Sequence, residues 1–129
     1  MTDRLALAVG ALIGFSLLLP APGEPHAQLV RSAPARRATL SHPPTRVQLW
    51  FNERLEPAYS ALSVWDAKGQ QVDDRRALVD PDDPKQLSVG LPALGPGVYT
   101  VRFRVLSVDS HVVESSFSFT IRAAGAGAR

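Results

Sequence analysis

Two stretches in the second half of the chain alternate strictly between apolar and polar positions. From Val98 to Val105, Tyr99, Val101, Phe103 and Val105 hold one phase while Thr100, Arg102 and Arg104 hold the other. Phe117, Phe119 and Ile121 alternate with Ser116, Ser118 and Thr120 in the same way. Successive side chains of an extended backbone point to opposite faces, so this period of two predicts two half-buried strands. Arg46 to Phe51 repeats the pattern with Val47, Leu49 and Phe51 on the apolar face. Weaker segments predict further strands: Ala27 to Pro34, closed by its proline; Tyr59 to Asp66, with Leu62 and Val64 on one face; a short one around Val72; and Gln86 to Leu91. Turn chemistry separates them at Asn52 to Pro57, Lys68-Gly69, an exposed acidic loop from Asp80 to Pro84, and Gly95-Pro96-Gly97. About seven short strands with no convincing helix predict an all-β fold, an immunoglobulin-like β-sandwich or Greek-key barrel.

The ends of the chain break this pattern. Leu5 to Leu19 is an apolar or small run behind Arg4, too short for a comfortable membrane span and followed by Pro20-Ala21-Pro22-Gly23. That order predicts a secretory signal peptide over residues 1–25 and export to the periplasm. Residues 26–122 then form one β-sandwich domain, and the small-residue stretch 123–129 is expected to be a disordered tail.

Composition removes several kinds of chemistry. The 129 residues contain no Cys, which excludes disulfides, thiolate metal sites and thiol catalysis. Lys and Arg number 14 against 12 Asp and Glu, for a net charge of only +2, and the basic residues do not form a sequence tract interleaved with aromatics. Nucleic-acid binding is therefore not expected. The expected assembly is a monomer.

The candidate chemistry sits where the strand from Val98 runs out into Val108-Asp109-Ser110-His111. If the backbone stays extended, Asp109 and His111 point to one face and offer a carboxylate oxygen and an imidazole nitrogen to one point. Two donors do not hold a metal ion, and the sequence's candidate for a third is His26.

His26 to Pro34, Leu49-Trp50-Phe51-Asn52-Glu53, Gly97 to His111, and Ser116 to Phe119, taken in that order, resemble the periplasmic copper-resistance protein C family (CopC). The resemblance runs from His26 to Arg122. It implies a small β-sandwich that binds Cu(II) through the amine and imidazole of His26 together with Asp109 and His111, with Glu53 as an acceptor supporting the site. It further implies a non-enzymatic protein of copper resistance and homeostasis that buffers or carries copper, with an inner-membrane partner of the CopD type. Nitrogen and oxygen donors suit Cu(II), which also heads the affinity order of the divalent first-row ions. Family members with a second site for Cu(I) use methionines, and here the sole Met is Met1, so that site is expected to be absent. Two other classes stay open on the residues alone: a copper mono-oxygenase built on a histidine brace, and a metal-free immunoglobulin-like interaction module.

Overall fold

The structure, a computed structural model, describes residues 28–124. The expected signal peptide, His26 and positions 125–129 of the expected tail lie outside the described residues. Within them, eight strands follow in order: β1 Leu29–Ala33, β2 Thr39–Leu40, β3 Arg46–Phe51, β4 Ala61–Trp65, β5 Leu78–Asp80, β6 Asp83–Gly90, β7 Gly97–Leu106 and β8 Val112–Ile121. They form two four-stranded sheets, β1-β3-β6-β5 and β2-β8-β7-β4. The pairings are antiparallel except for β2, which lies parallel to β8. The chain passes from sheet to sheet at each connection from β1 through β5 and again between β6 and β7, while β5–β6 and β7–β8 stay within one sheet, which makes a Greek-key sandwich.

The alternating segments become strands because only one of their faces can be buried. Val47, Leu49 and Phe51 of β3, Tyr99, Val101, Phe103 and Val105 of β7, and Phe117, Phe119 and Ile121 of β8 all lie in one buried cluster. Phe51 meets Phe103 edge-on across the two layers with ring centroids 5.5 Å apart. Tyr99 stacks on Phe119 at 5.6 Å, and its buried hydroxyl donates to the carbonyl of Gly95 at 2.8 Å. That hydrogen bond ties the turn before β7 to the core.

β2 and β5 are not expected from the sequence, and three further features depart from its reading. Around Val72 there is no strand: Gln71 makes an isolated bridge to Trp65, and the amide of Val72 donates to Val64 at 2.8 Å. The acidic stretch Asp80 to Pro84 is the tight turn of the β5–β6 hairpin, with Pro81 and Asp82 exposed at its tip, so β6 begins at Asp83. Pro57–Tyr59 is a 3-10 turn, and β4 starts after it at Ala61.

Both sheets are joined at one end by the segment after β3. The amide of Leu55 donates to Pro84 of β6 at 3.0 Å, and Leu55 also bridges to Ser107 just beyond β7. Glu56 donates to the carbonyl of Leu106 at 2.8 Å, and Val108 donates to that of Arg54 at 3.0 Å. This end of the sandwich carries the Asp109 and His111 loop.

Candidate metal centre

β7 and β8 form a hairpin whose last strand pair is Leu106 with Val112. Beyond it the backbone is not extended. The amide of Ser110 donates to the carbonyl of Ser107 at 2.9 Å, the amide of Ser107 donates to His111 at 2.9 Å, and Ser110 has φ of 73°. These bonds describe a three-residue hairpin loop, a tight turn followed by one left-handed residue. Asp109 and His111 are brought together by that loop and not by strand periodicity. The two side chains do lie together, but the extended backbone expected to align them is absent. Oδ1 of Asp109 lies 3.1 Å from Nδ1 of His111, and both side chains are a little over one-third exposed.

Ser107 organises the pair, and sequence reasoning passed over it. It is fully buried, continuing the inward phase of Val101, Phe103 and Val105. Its hydroxyl donates to Oδ1 of Asp109 and lies 3.3 Å from the amide of His111, which can donate to it. A polar residue in the core phase of a strand, two positions before an Asp, was the signal available in the sequence. The Ser107 hydroxyl, and after it His111, hold the Asp109 carboxyl below its ordinary pKa. Hydrogen bonds and a neighbouring imidazole favour the charged carboxylate.

The donor set suits a first-row divalent ion. Two adjacent ligands, each about 2 Å from a metal, sit roughly 3 Å apart, which is already the spacing of this pair. Glu53 is half-buried in the segment after β3, beside Arg54, whose carbonyl accepts from Val108. Among the described residues no group of three or more His, Cys, Asp or Glu is disposed to hold a metal, so the pair and Glu53 do not make such a cluster. The described chain starts at this same end: the amide of Gln28 donates to Oδ1 of Asn52 at 2.6 Å, and the amide of Asn52 donates to the carbonyl of Gln28 at 3.1 Å. His42 is exposed on the loop between β2 and β3.

The chain as a whole is similar to known proteins. The family model described as the CopC domain matches residues 29–122. Protein YobA of Escherichia coli strain K12 is 32% identical over 120 residues, which cover 92% of this chain and 94% of that protein. Copper resistance protein C of Xanthomonas campestris pv. juglandis is 31% identical over 112 residues, 75% of this chain and 80% of that protein. The crystal structure of CopC from Methylosinus trichosporium OB3b superposes with a TM-score of 0.71 at 38% identity, covering 76% of this chain and 95% of that one. The two-sheet sandwich, the matched family model and these relatives together establish that the chain belongs to the CopC domain family.

Proposed function

We propose that this protein binds Cu(II) in the periplasm and buffers or carries it, as a non-enzymatic protein of copper resistance and homeostasis. The observation that carries this reading is the Asp109 and His111 pair, 3.1 Å apart and open to solvent at the end of the sandwich. Copper resistance in the name of the Xanthomonas relative supports the choice of metal. His26 supplies the remaining nitrogen donors in this reading. It stands two residues ahead of Gln28, within about 7 Å of it along a fully extended chain, and Gln28 is anchored to the same segment that bonds Val108. Glu53, on that segment, supports the ligands. A monomer that delivers to or receives from a CopD-type membrane protein completes the proposal.

The test is a Cu(II) titration of the protein recovered from the periplasm, with its N-terminus fixed by intact mass. His26→Ala, Asp109→Ala and His111→Ala should each weaken binding by orders of magnitude. Unchanged affinity in the Asp109 and His111 variants would remove the pair from the site. Sustained peroxide formation from ascorbate by the copper-loaded protein would favour a mono-oxygenase instead.

A further inference from the structure

No basic tract is continuous along the chain, but the fold brings four arginines onto one face. β7 and β8 present Arg102, Arg104, Glu114 and Ser116 to their outer face, with Arg104 paired to Glu114 and Arg102 to Ser116. On β4, Ala61 stands beside Arg104 and Ser63 beside Arg102. Their small side chains leave a hollow of about 540 Å³ between the guanidiniums and Gln71. A second hollow of about 220 Å³ shares Ser116 and adds Arg36 and Arg37 from the loop between β1 and β2. No carboxylate of the described residues forms an ion pair with any of these four arginines, and Glu114 is the single acid lining either hollow.

Two of the four are held by aromatic rings. The guanidinium of Arg102 lies 4.8 Å from the ring centre of Trp65, and that of Arg36 lies 5.8 Å from the ring centre of Phe117. A guanidinium over a ring face is attracted to it without using its N–H donors, which stay available for a bidentate acceptor. Arg102 and Arg104 are alternate residues of one strand, so their backbone origins are about 6.7 Å apart. Alternate side chains of any extended polypeptide repeat at that same distance. A recessed floor of Ala and Ser admits a chain, whereas a bilayer surface would call for projecting apolar side chains between the cations.

We propose that the groove over β4, β7 and β8 is a docking surface for an extended acidic polypeptide segment, whose alternate carboxylates pair with Arg102 and Arg104 while Arg36 and Arg37 take the next acidic residue. The groove is on the outer sheet face, so this proposal stands independently of the copper site.

The probe is a fluorescent peptide alternating Glu and Ser, titrated against the full mature chain at low and high salt and followed by anisotropy. Saturable binding that weakens with salt is expected, since exposed charge pairs are screened. Arg102→Gln with Arg104→Gln should reduce affinity at least about tenfold, the loss of one or two charge-assisted hydrogen bonds. Lys68→Gln with Lys85→Gln removes the same charge elsewhere and should leave binding unchanged. Melting curves of both pairs should match wild type, because all four side chains are exposed. Equal loss in the two pairs, absence of saturable binding, or capture of phosphatidylglycerol vesicles through Arg102 and Arg104 without peptide binding would each overturn the proposal.

Discussion

Ser110 adopts a backbone conformation that L-residues with a Cβ occupy at a cost, and the convergence of Asp109 and His111 depends on it. Ser110→Gly should keep Cu(II) affinity and match or slightly raise the melting temperature. Ser110→Val, which adds a β-branched side chain to the same φ, should lower stability by about 1–2 kcal/mol and weaken copper binding with it. Ser107 offers a cleaner separation of support from ligation. Ser107→Ala removes the hydroxyl that fixes Asp109 and should reduce copper affinity, although no donor to the metal is lost. Asp109→Ala should abolish tight binding while lowering the melting temperature of the metal-free protein only slightly, because the side chain is exposed and its stabilising contacts are confined to Ser107 and His111. The depressed carboxyl adds a pH signature. Its folded pKa lies below the unfolded value, so its contribution to stability is present above roughly pH 4 and is lost as the pH falls through the folded value. The stability difference between wild type and Asp109→Asn in chemical denaturation should therefore be constant near neutrality and shrink in acid.

β4 is an outer strand of its sheet, and a side chain partly covers its free edge. The buried carboxylate of Asp73 accepts from the amide of Val64 at 2.7 Å, from the Gln71 side chain at 3.0 Å and from the amide of Arg75 at 2.8 Å. A single carboxylate thereby stands in for the carbonyl of a missing neighbour strand. Asp73→Ala would leave the buried amide of Val64 without this acceptor, which costs roughly 1–3 kcal/mol. Denaturant unfolding should show a lower midpoint at constant slope, and Asp73→Asn should recover part of the loss. This also explains what the sequence could and could not disclose. β3, β7 and β8 were legible because each repeats its apolar phase at least three times. β2 and β5, with two and three residues, are too short to show a period. The segment around Val72 carries strand-like residues, yet Asp73 bonds the edge before a ladder can form. Asp109 and His111 were legible as a pair from their spacing. Ser107 and the loop geometry were not, because they rest on a left-handed Ser110 and on local hydrogen bonds that residue spacing does not specify; the four-arginine groove was not, because it depends on contacts between elements far apart in sequence.

At the scale of the molecule, copper is expected to act as a ligand of the folded state alone. Saturating Cu(II) should raise the melting temperature by mass action, by about 2.7 kcal/mol of stability at a hundredfold excess over the dissociation constant. In Asp109→Ala or His111→Ala the rise should largely vanish. Acidification should weaken binding as well, since an imidazole must give up its proton before it can coordinate.

The segment after β3 is bonded at once to β6 through Leu55 and Pro84, and to the end of β7 through Glu56 and Leu106 and through Val108 and Arg54. An ion held on the loop beyond Val108 would therefore resist the parting of the two layers at that pole. Amide hydrogen exchange would register this as slower opening at Leu55, Glu56 and Val108. The amides of Leu91 and Arg122, bonded to Thr45 and Leu40 away from the loop, should exchange at the same rate with or without copper. The sandwich would then have a clasped pole and a free one, and the metal would decide how often the clasp lets go.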